Sequence, residues 1–276
     1  MDQACNHEKT ADQLAAVNTL RRTLGLLPLQ RLGDMFLQAD LILATTVEPL
    51  EYPRSDWPSN LRFVGPLIWE PPSQQSWSPP ISKDPLILVA GSSIPERPAA
   101  AFWAHRVIDA LREAPLHVVA TLPTGPLPTA SATVMVERIL PHGQILQHAA
   151  CVVCHVGPAI TQKALALGVP VVSVPFAFDR YEVARRTEMS QAGVTLRLDS
   201  LSPTHVRNAV QRAIAMRSGA ARIARMFAAA GGAVAAATYV EAVGADGNAR
   251  DDAFILRSLH AVDQAGRLAT ANSTDS

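Results

Sequence analysis

The residues best able to do chemistry crowd into one short block, Cys151-Val152-Val153-Cys154-His155-Val156-Gly157-Pro158. Two thiols three positions apart, followed by an imidazole, match the short pattern for covalent haem attachment and offer zinc-like spacing. The segment is apolar and sits between helical stretches, so it reads as a buried strand. On a strand, positions three apart point to opposite faces, which sends the thiols apart. No second cysteine pair completes a zinc site, and buried cysteine behaves as a small hydrophobe. Neither a metal nor a cofactor is expected. His155 differs, because it stands where the strand ends and a turn begins. Gly157 then leads into a helix starting near Pro158–Ala159. The unpaired N–H groups and positive dipole end of a helix start suit an anion. Proline in the first turn gives up only an N–H that is unpaired in any case.

The elements that must position this block alternate along the chain. Leu86–Ala90 is an apolar run followed by Gly91-Ser92-Ser93. Pro98 to Ala114 reads as a helix with Phe102, Val107, Ile108 and Leu111 on its apolar face. Strands are expected at Leu116–Leu122, Thr133–Ile139, Cys151–Cys154, Val169–Val174 and Val194–Leu198. Helices are expected at Gln144–Ala149, Ala159–Leu167 and Asp179–Ala192, with another from Ser202-Pro203 to Met216, where Ser caps and Pro opens the first turn. This alternation predicts an α/β fold with a doubly wound parallel sheet. Ligands on such sheets bind outside the carboxyl ends of the strands.

The flanks are less regular. Residues 1–10 read as a flexible tail. Ala11 to Leu27 carries Leu14, Val17, Leu20, Leu24 and Leu27 at helical spacing. Ala39–Thr46 and Leu61–Val64 read as short strands. Glu70 to Pro80 is rich in Pro, Ser and Gln and marks a linker. Residues 219–243 are Ala-rich and helical, with a break at Gly231-Gly232. A last amphipathic stretch carries Phe254, Leu256, Leu259 and Val262. The domain reading is therefore a tail (1–10), a first segment (11–70), a linker (71–84), the main domain (85–245) and a C-terminal helix with tail (246–276).

Composition excludes several classes. The chain has 276 residues, 24 basic against 24 acidic side chains, and 48% hydrophobic residues. That is too apolar for a disordered chain, and no basic excess exists to neutralise nucleic-acid phosphates. No window holds about 18 consecutive apolar residues, so no membrane span is expected. The polar N-terminus has no apolar signal region. A cytoplasmic location is the expectation.

The order of residues from Arg138 to Asp199 resembles the donor-binding signature of the UDP-glycosyltransferase superfamily (glycosyltransferase family 1, GT-B fold), particularly its bacterial antibiotic and macrolide type. It reads R-I-L-P-H-G-Q-I-L-Q-H-A-A, then C-V-V-C-H-V-G-P-A-I-T-Q-K-A-L-A-L-G-V-P-V-V-S-V-P-F-A-F-D-R-Y-E, closed by A-G-V-T-L-R-L-D. Leu86–Ser93 resembles the first strand and phosphate loop of that family's C-terminal domain. Arg21 to Pro66, with Gly25-Leu26, Ala39-Asp40-Leu41 and Phe63-Val64-Gly65-Pro66, resembles the end of the N-terminal domain. The resemblance implies a Rossmann-like C-terminal domain, residues 85–245, preceded by an incomplete N-terminal domain, residues 11–70. It implies that Ser92, Ser93, His155, Gly157, Pro158, Ala159, Ile160 and Lys163 line the phosphates and ribose. Ile139 would lie against the base with His142 nearby, and Asp179 and Arg180 would hold the sugar hydroxyls.

The departures from the pattern are specific. Ala159 stands where the family has glycine, and Ile160 where it has Thr or Ser. Lys163 stands where it has a ribose-binding Glu, although an ammonium can only donate. Arg180 replaces a Gln. The family's catalytic histidine lies near the start of its N-terminal domain. Here the sole histidine before residue 100 is His7, in the polar tail, so no catalytic residue is assigned. The implied function is transfer of a hexosyl group from a UDP- or TDP-sugar to a small acceptor. The alternative is a non-catalytic or truncated auxiliary protein. The implied partners are the nucleotide-sugar donor, the small-molecule acceptor and a separate N-terminal half or complete transferase; no nucleic acid is expected.

Overall fold

Six apolar runs become six strands of one sheet, and their β-branched composition suits burial on both faces. The computed structural model describes residues 3–70, 77–92, 102–176 and 179–246, with backbone alone for 3–9 and 246. The chain divides into two units, Met1–Ala44 with Arg54–Arg62 and Val234–Ser276, and Thr45–Pro53 with Phe63–Ala233.

The smaller unit holds helix α1 (Gln3–Thr23) and a one-turn helix α2 (Asp34–Leu37). α1 begins inside the segment expected to be loose. Asn18 holds the following loop by exchanging two hydrogen bonds with Leu29, at 2.9 and 2.7 Å. Two three-residue strands, β1 (Ile42–Ala44) and β2 (Leu61–Phe63), pair with each other. β1 is half-buried and covers only three residues of the Ala39–Thr46 run that reads as a strand.

The larger unit carries β3 (Leu86–Ala90), α3 (Trp103–Leu111), β4 (His117–Thr121), β5 (Val134–Glu137), α4 (His142–Leu146), β6 (Ala149–Cys154), α5 (Pro158–Ala166), β7 (Val171–Ser173), α6 (Arg180–Met189), β8 (Gly193–Thr195), α7 (Pro203–Ala215) and α8 (Arg217–Ala230). The strand order is β5-β4-β3-β6-β7-β8, and every neighbouring pair is parallel. The order reverses between β3 and β6, and such a reversal opens a crevice at the strands' carboxyl ends.

All five residues of β3 are buried, with Ile87 and Val89 on one face and Leu86, Leu88 and Ala90 on the other. The first face is covered by α3 and α7, through residues such as Trp103, Ile108, Val206 and Val210. The second is covered by α4, α5 and α8, through Ile145, Ala164, Leu165, Ile223 and Phe227. α7 is capped as its sequence predicts: Ser202 Oγ accepts from the His205 N–H at 3.3 Å. α8 ends at Gly231, whose φ of 83° closes the helix in the left-handed conformation that glycine tolerates best.

A further helix, α9 (Gly232–Asp246), follows. By length and composition alone, Arg217–Ala245 is apolar enough to cross a membrane, one 18-residue window within it having a mean hydropathy of 1.4. In α8, Ala220, Ile223 and Phe227 belong to the core, and a core helix satisfies the same criteria.

Candidate functional site

The site is built where β3 and β6 end side by side. Ala90 is in register with Cys154. Beyond Ala90, Gly91 comes so close to β4's end that an added Cβ would meet the Thr121 carbonyl oxygen at 2.9 Å. Ser92 is 4% exposed and lines a small cavity with Gly91, Trp103, His105 and Leu122. Ser93 lies outside the described residues.

Beyond Cys154 come His155, Val156 and Gly157. Val156 is fully buried and has a φ of 65°. A β-branched residue is strained in that region, and such strain gathers at functional turns. Gly157 is the N-cap of α5, and Pro158 opens its first turn. A Cβ on Gly157 would meet His155 Nε2 at 2.7 Å, so glycine is what lets the imidazole lie over the helix start. His155 Nδ1 is buried without a hydrogen-bond partner. Burial first, and then the Arg180 charge, push its pKa down to about 4, with the Ala90 backbone opposing.

Four more groups converge on this end of the sheet. Arg180, in the first turn of α6, is 9% exposed. Its guanidinium carbon lies 4.3 Å above the Phe176 ring, and Phe176 lies 6.4 Å from the His155 ring, centroid to centroid. Among the described residues, Arg180 Nη1 and Ser173 Oγ are buried without hydrogen-bond partners, while Thr161 Oγ1 lies against the Cys154 thiol. Such orphans are rare in native folds, and an unplaced ligand is one explanation for them.

The other expected residues fall around this centre. Ile139 is 74% exposed on the loop after β5. His142 opens α4, and its Nε2 lies 2.7 Å from Thr121 Oγ1 at the end of β4. Burial, then Lys163, push its pKa down to about 4, with Glu70 opposing. Pro158 and Ala159 are exposed, whereas the Ile160 side chain belongs to the core and offers a ligand only its backbone. Asp179 is exposed at the head of α6, and its side chain makes no capping bond. It lines a cavity of about 190 Å³ with Thr46, Glu51, Thr161 and Arg186, and Arg186 is ion-paired with Glu51.

Sequence reasoning missed Glu70. Its two carboxylate oxygens each accept from the Gly143 N–H at 3.0 Å, and one lies 3.4 Å from Lys163 Nζ. A Cβ on Gly143 would meet that carboxylate at 2.3 Å. Lys163 therefore has its counter-charge from a residue 93 positions earlier, and only the acidic character of Glu70 itself hinted at it.

Cys151 and Cys154 are both fully buried, one in each core layer. Burial pushes their pKa values up to about 12 and about 11. Neither thiol is therefore available as thiolate for a metal or alkylating agent. Iodoacetamide at neutral pH should leave both unmodified in the folded protein and label both in guanidinium. Labelling of either without unfolding would contradict the strand placement.

The two neutral imidazoles also predict acid lability. Both folded pKa values lie below histidine's ordinary value of 6.5. The unfolded chain therefore binds more protons, and stability is full above about 6.5 and lost as pH falls toward about 4. The melting temperature of the native chain should fall through that window, and a double His142→Gln/His155→Gln variant should fall less. Equal slopes would mean that neither ring is held neutral.

Residues 105–241 match the family described as the erythromycin biosynthesis protein CIII-like C-terminal domain. The chain is 35% identical to the 4'-demethylrebeccamycin synthase of Lentzea aerocolonigenes over 219 residues, 73% of this chain and 49% of that protein. It is 33% identical to a PGL/p-HBAD biosynthesis rhamnosyltransferase of Mycobacterium bovis (strain BCG / Pasteur 1173P2) over 223 residues, 78% of this chain and 48% of that protein. The chain thus spans about half the length of these curated relatives. Among solved structures, CalG4, the calicheamicin glycosyltransferase, superposes with a TM-score of 0.70 at 26% identity, covering 83% of this chain and 60% of that one. The glycotransferase of kitacinnamycin shares the fold with the same TM-score of 0.70 at 21% identity, covering 84% of this chain and 62% of that one.

Proposed function

The chain belongs to the antibiotic-type glycosyltransferases of the UDP-glycosyltransferase superfamily, with residues 105–241 in the CIII-like C-terminal domain family, and from that membership we propose that its crevice binds a nucleoside-diphosphate sugar, UDP- or TDP-linked, whose hexosyl group passes to a small acceptor. The observation that carries this reading is His155 at the start of α5, whose Nε2 edge packs over a glycine with no room for a Cβ and whose Nδ1 is buried with no hydrogen-bond partner among the described residues. A diphosphate placed there would accept from the ring and from the unpaired N–H groups of the first turn. The exposed Ile139 offers an apolar surface to the base. Asp179, unbonded and facing a cavity, has carboxylate oxygens free to accept from sugar hydroxyls.

In transfer, the bond between the anomeric carbon and the diphosphate oxygen breaks, and charge accumulates on the leaving diphosphate. N–H dipoles fixed before the reaction stabilise that charge without reorganisation. The acceptor hydroxyl must lose its proton to a base, and no residue of the described crevice is assigned that role. Calorimetric titration of the full chain with UDP and with TDP tests the reading. Saturable one-site binding of at least one is expected; no binding of either would refute it.

A further inference from the structure

Arg180 is a buried cation without a counter-charge among the described residues. It is 9% exposed, Nη1 has no hydrogen-bond partner, and no carboxylate pairs with it among the described residues. Its sequence neighbour Asp179 stays exposed. Burying a charge without a partner is costly, and the Phe176 ring face beneath the guanidinium returns only part of that cost. A chain that holds an arginine in this way either wastes stability or keeps the site for an anion.

Where the guanidinium sits decides which anion. Phe176 lies under it and also neighbours the His155 ring, and the Arg180 charge is close enough to act on that imidazole. The group is thus placed beside the helix start, on the crevice where the strand order reverses. Its planar fork of N–H donors fits two phosphate oxygens at once. Among the described residues, the helix start itself offers backbone N–H groups and a neutral imidazole, none of which carries a full charge.

We infer that Arg180 binds the diphosphate of the nucleotide donor, donating from its guanidinium to phosphate oxygens, rather than reading sugar hydroxyls. This rests on the nucleotide-binding reading above and adds to it a full positive charge that no other described group of the helix start supplies. It also explains how a position at which the related pattern has a neutral amide could change without emptying the site.

The test uses the full chain, with Arg180→Gln and Arg180→Met as neutral variants and Arg180→Lys as the charged one. The probes are UDP, inorganic pyrophosphate and uridine. For UDP and pyrophosphate, the neutral variants should bind roughly ten- to a hundredfold more weakly, the range for a hydrogen bond to a charged group. Arg180→Lys should recover part of that loss, and uridine binding should not change. Without ligand, Arg180→Met should melt no lower than the native chain, because it keeps the stem on Phe176 and removes the unpaired charge. A drop in melting temperature would make Arg180 a structural residue and overturn the inference. So would unchanged UDP affinity in both neutral variants; if His155→Ala still weakens UDP, the nucleotide reading survives and only the Arg180 role falls. A loss confined to UDP-glucuronic acid, with UDP-glucose unaffected, would assign the guanidinium to a sugar carboxylate and also overturn it. No binding of either UDP or TDP by the native chain would refute both readings.

Discussion

Replacing His155 by alanine is expected to weaken UDP or TDP binding by about 1.5–3 kcal/mol, roughly ten- to a hundredfold in Kd, the range for a hydrogen bond to a charged partner. The ring is held in place for that contact. It stands at the end of β6, it is packed beside Phe176, and only the missing Cβ of Gly157 leaves room for it. Nδ1 has no partner among the described residues, so removing the ring breaks no bond described at that atom. His142 is the control. Its Nε2 is already engaged with Thr121 Oγ1 at 2.7 Å, so His142→Ala should cost less binding and more stability. Titration of the two variants side by side checks the ordering. A larger binding loss at His142 would move the anion site toward α4.

Trp103→Ala should be the most damaging single change to the fold. The side chain is 2% exposed and is the largest of the fully buried ones, set between α3 and the sheet. Truncating a buried aromatic of this size costs about 3–5 kcal/mol, transfer and cavity terms together. At roughly 2–4 °C per kcal/mol for a domain of this size, the melting temperature should fall by about 6–20 °C. Trp103 also lines the cavity that contains Gly91 and Ser92, so nucleotide affinity should drop in whatever fraction stays folded. The neighbouring Phe102, 58% exposed, should tolerate alanine with a change of about 0.5 kcal/mol or less. Thermal unfolding of both variants separates the two cases, and similar losses at 102 and 103 would contradict the burial of Trp103.

Much of this molecule could be read before its fold was known, for local reasons. The alternation of short β-branched runs with amphipathic stretches announces parallel strands and covering helices. The strand-turn-helix at His155, Gly157 and Pro158 is a local motif, so its chemistry is local too. The opposed directions of Cys151 and Cys154 follow from strand geometry alone. What escaped depends on distance along the chain. The Glu70 contact with Gly143 and Lys163 spans more than seventy positions, and Lys163 read alone looks only like a lost carboxylate. Ile160 looked like a lost hydroxyl on the ligand face, but helical rotation turns its side chain into the core. The order β5-β4-β3-β6-β7-β8, which creates the crevice, is a tertiary fact that periodicity does not contain. The charge of Arg180 was legible, but its burial was not.

The most direct test of the central claim is a crystal structure of the full chain with UDP. The diphosphate should lie between the Gly91-Ser92 loop and the start of α5, within hydrogen-bond distance of His155 and the first-turn N–H groups. Density for UDP in the cavity lined by Thr46, Glu51 and Arg186, or on any face away from the carboxyl ends of β3 and β6, would contradict the account.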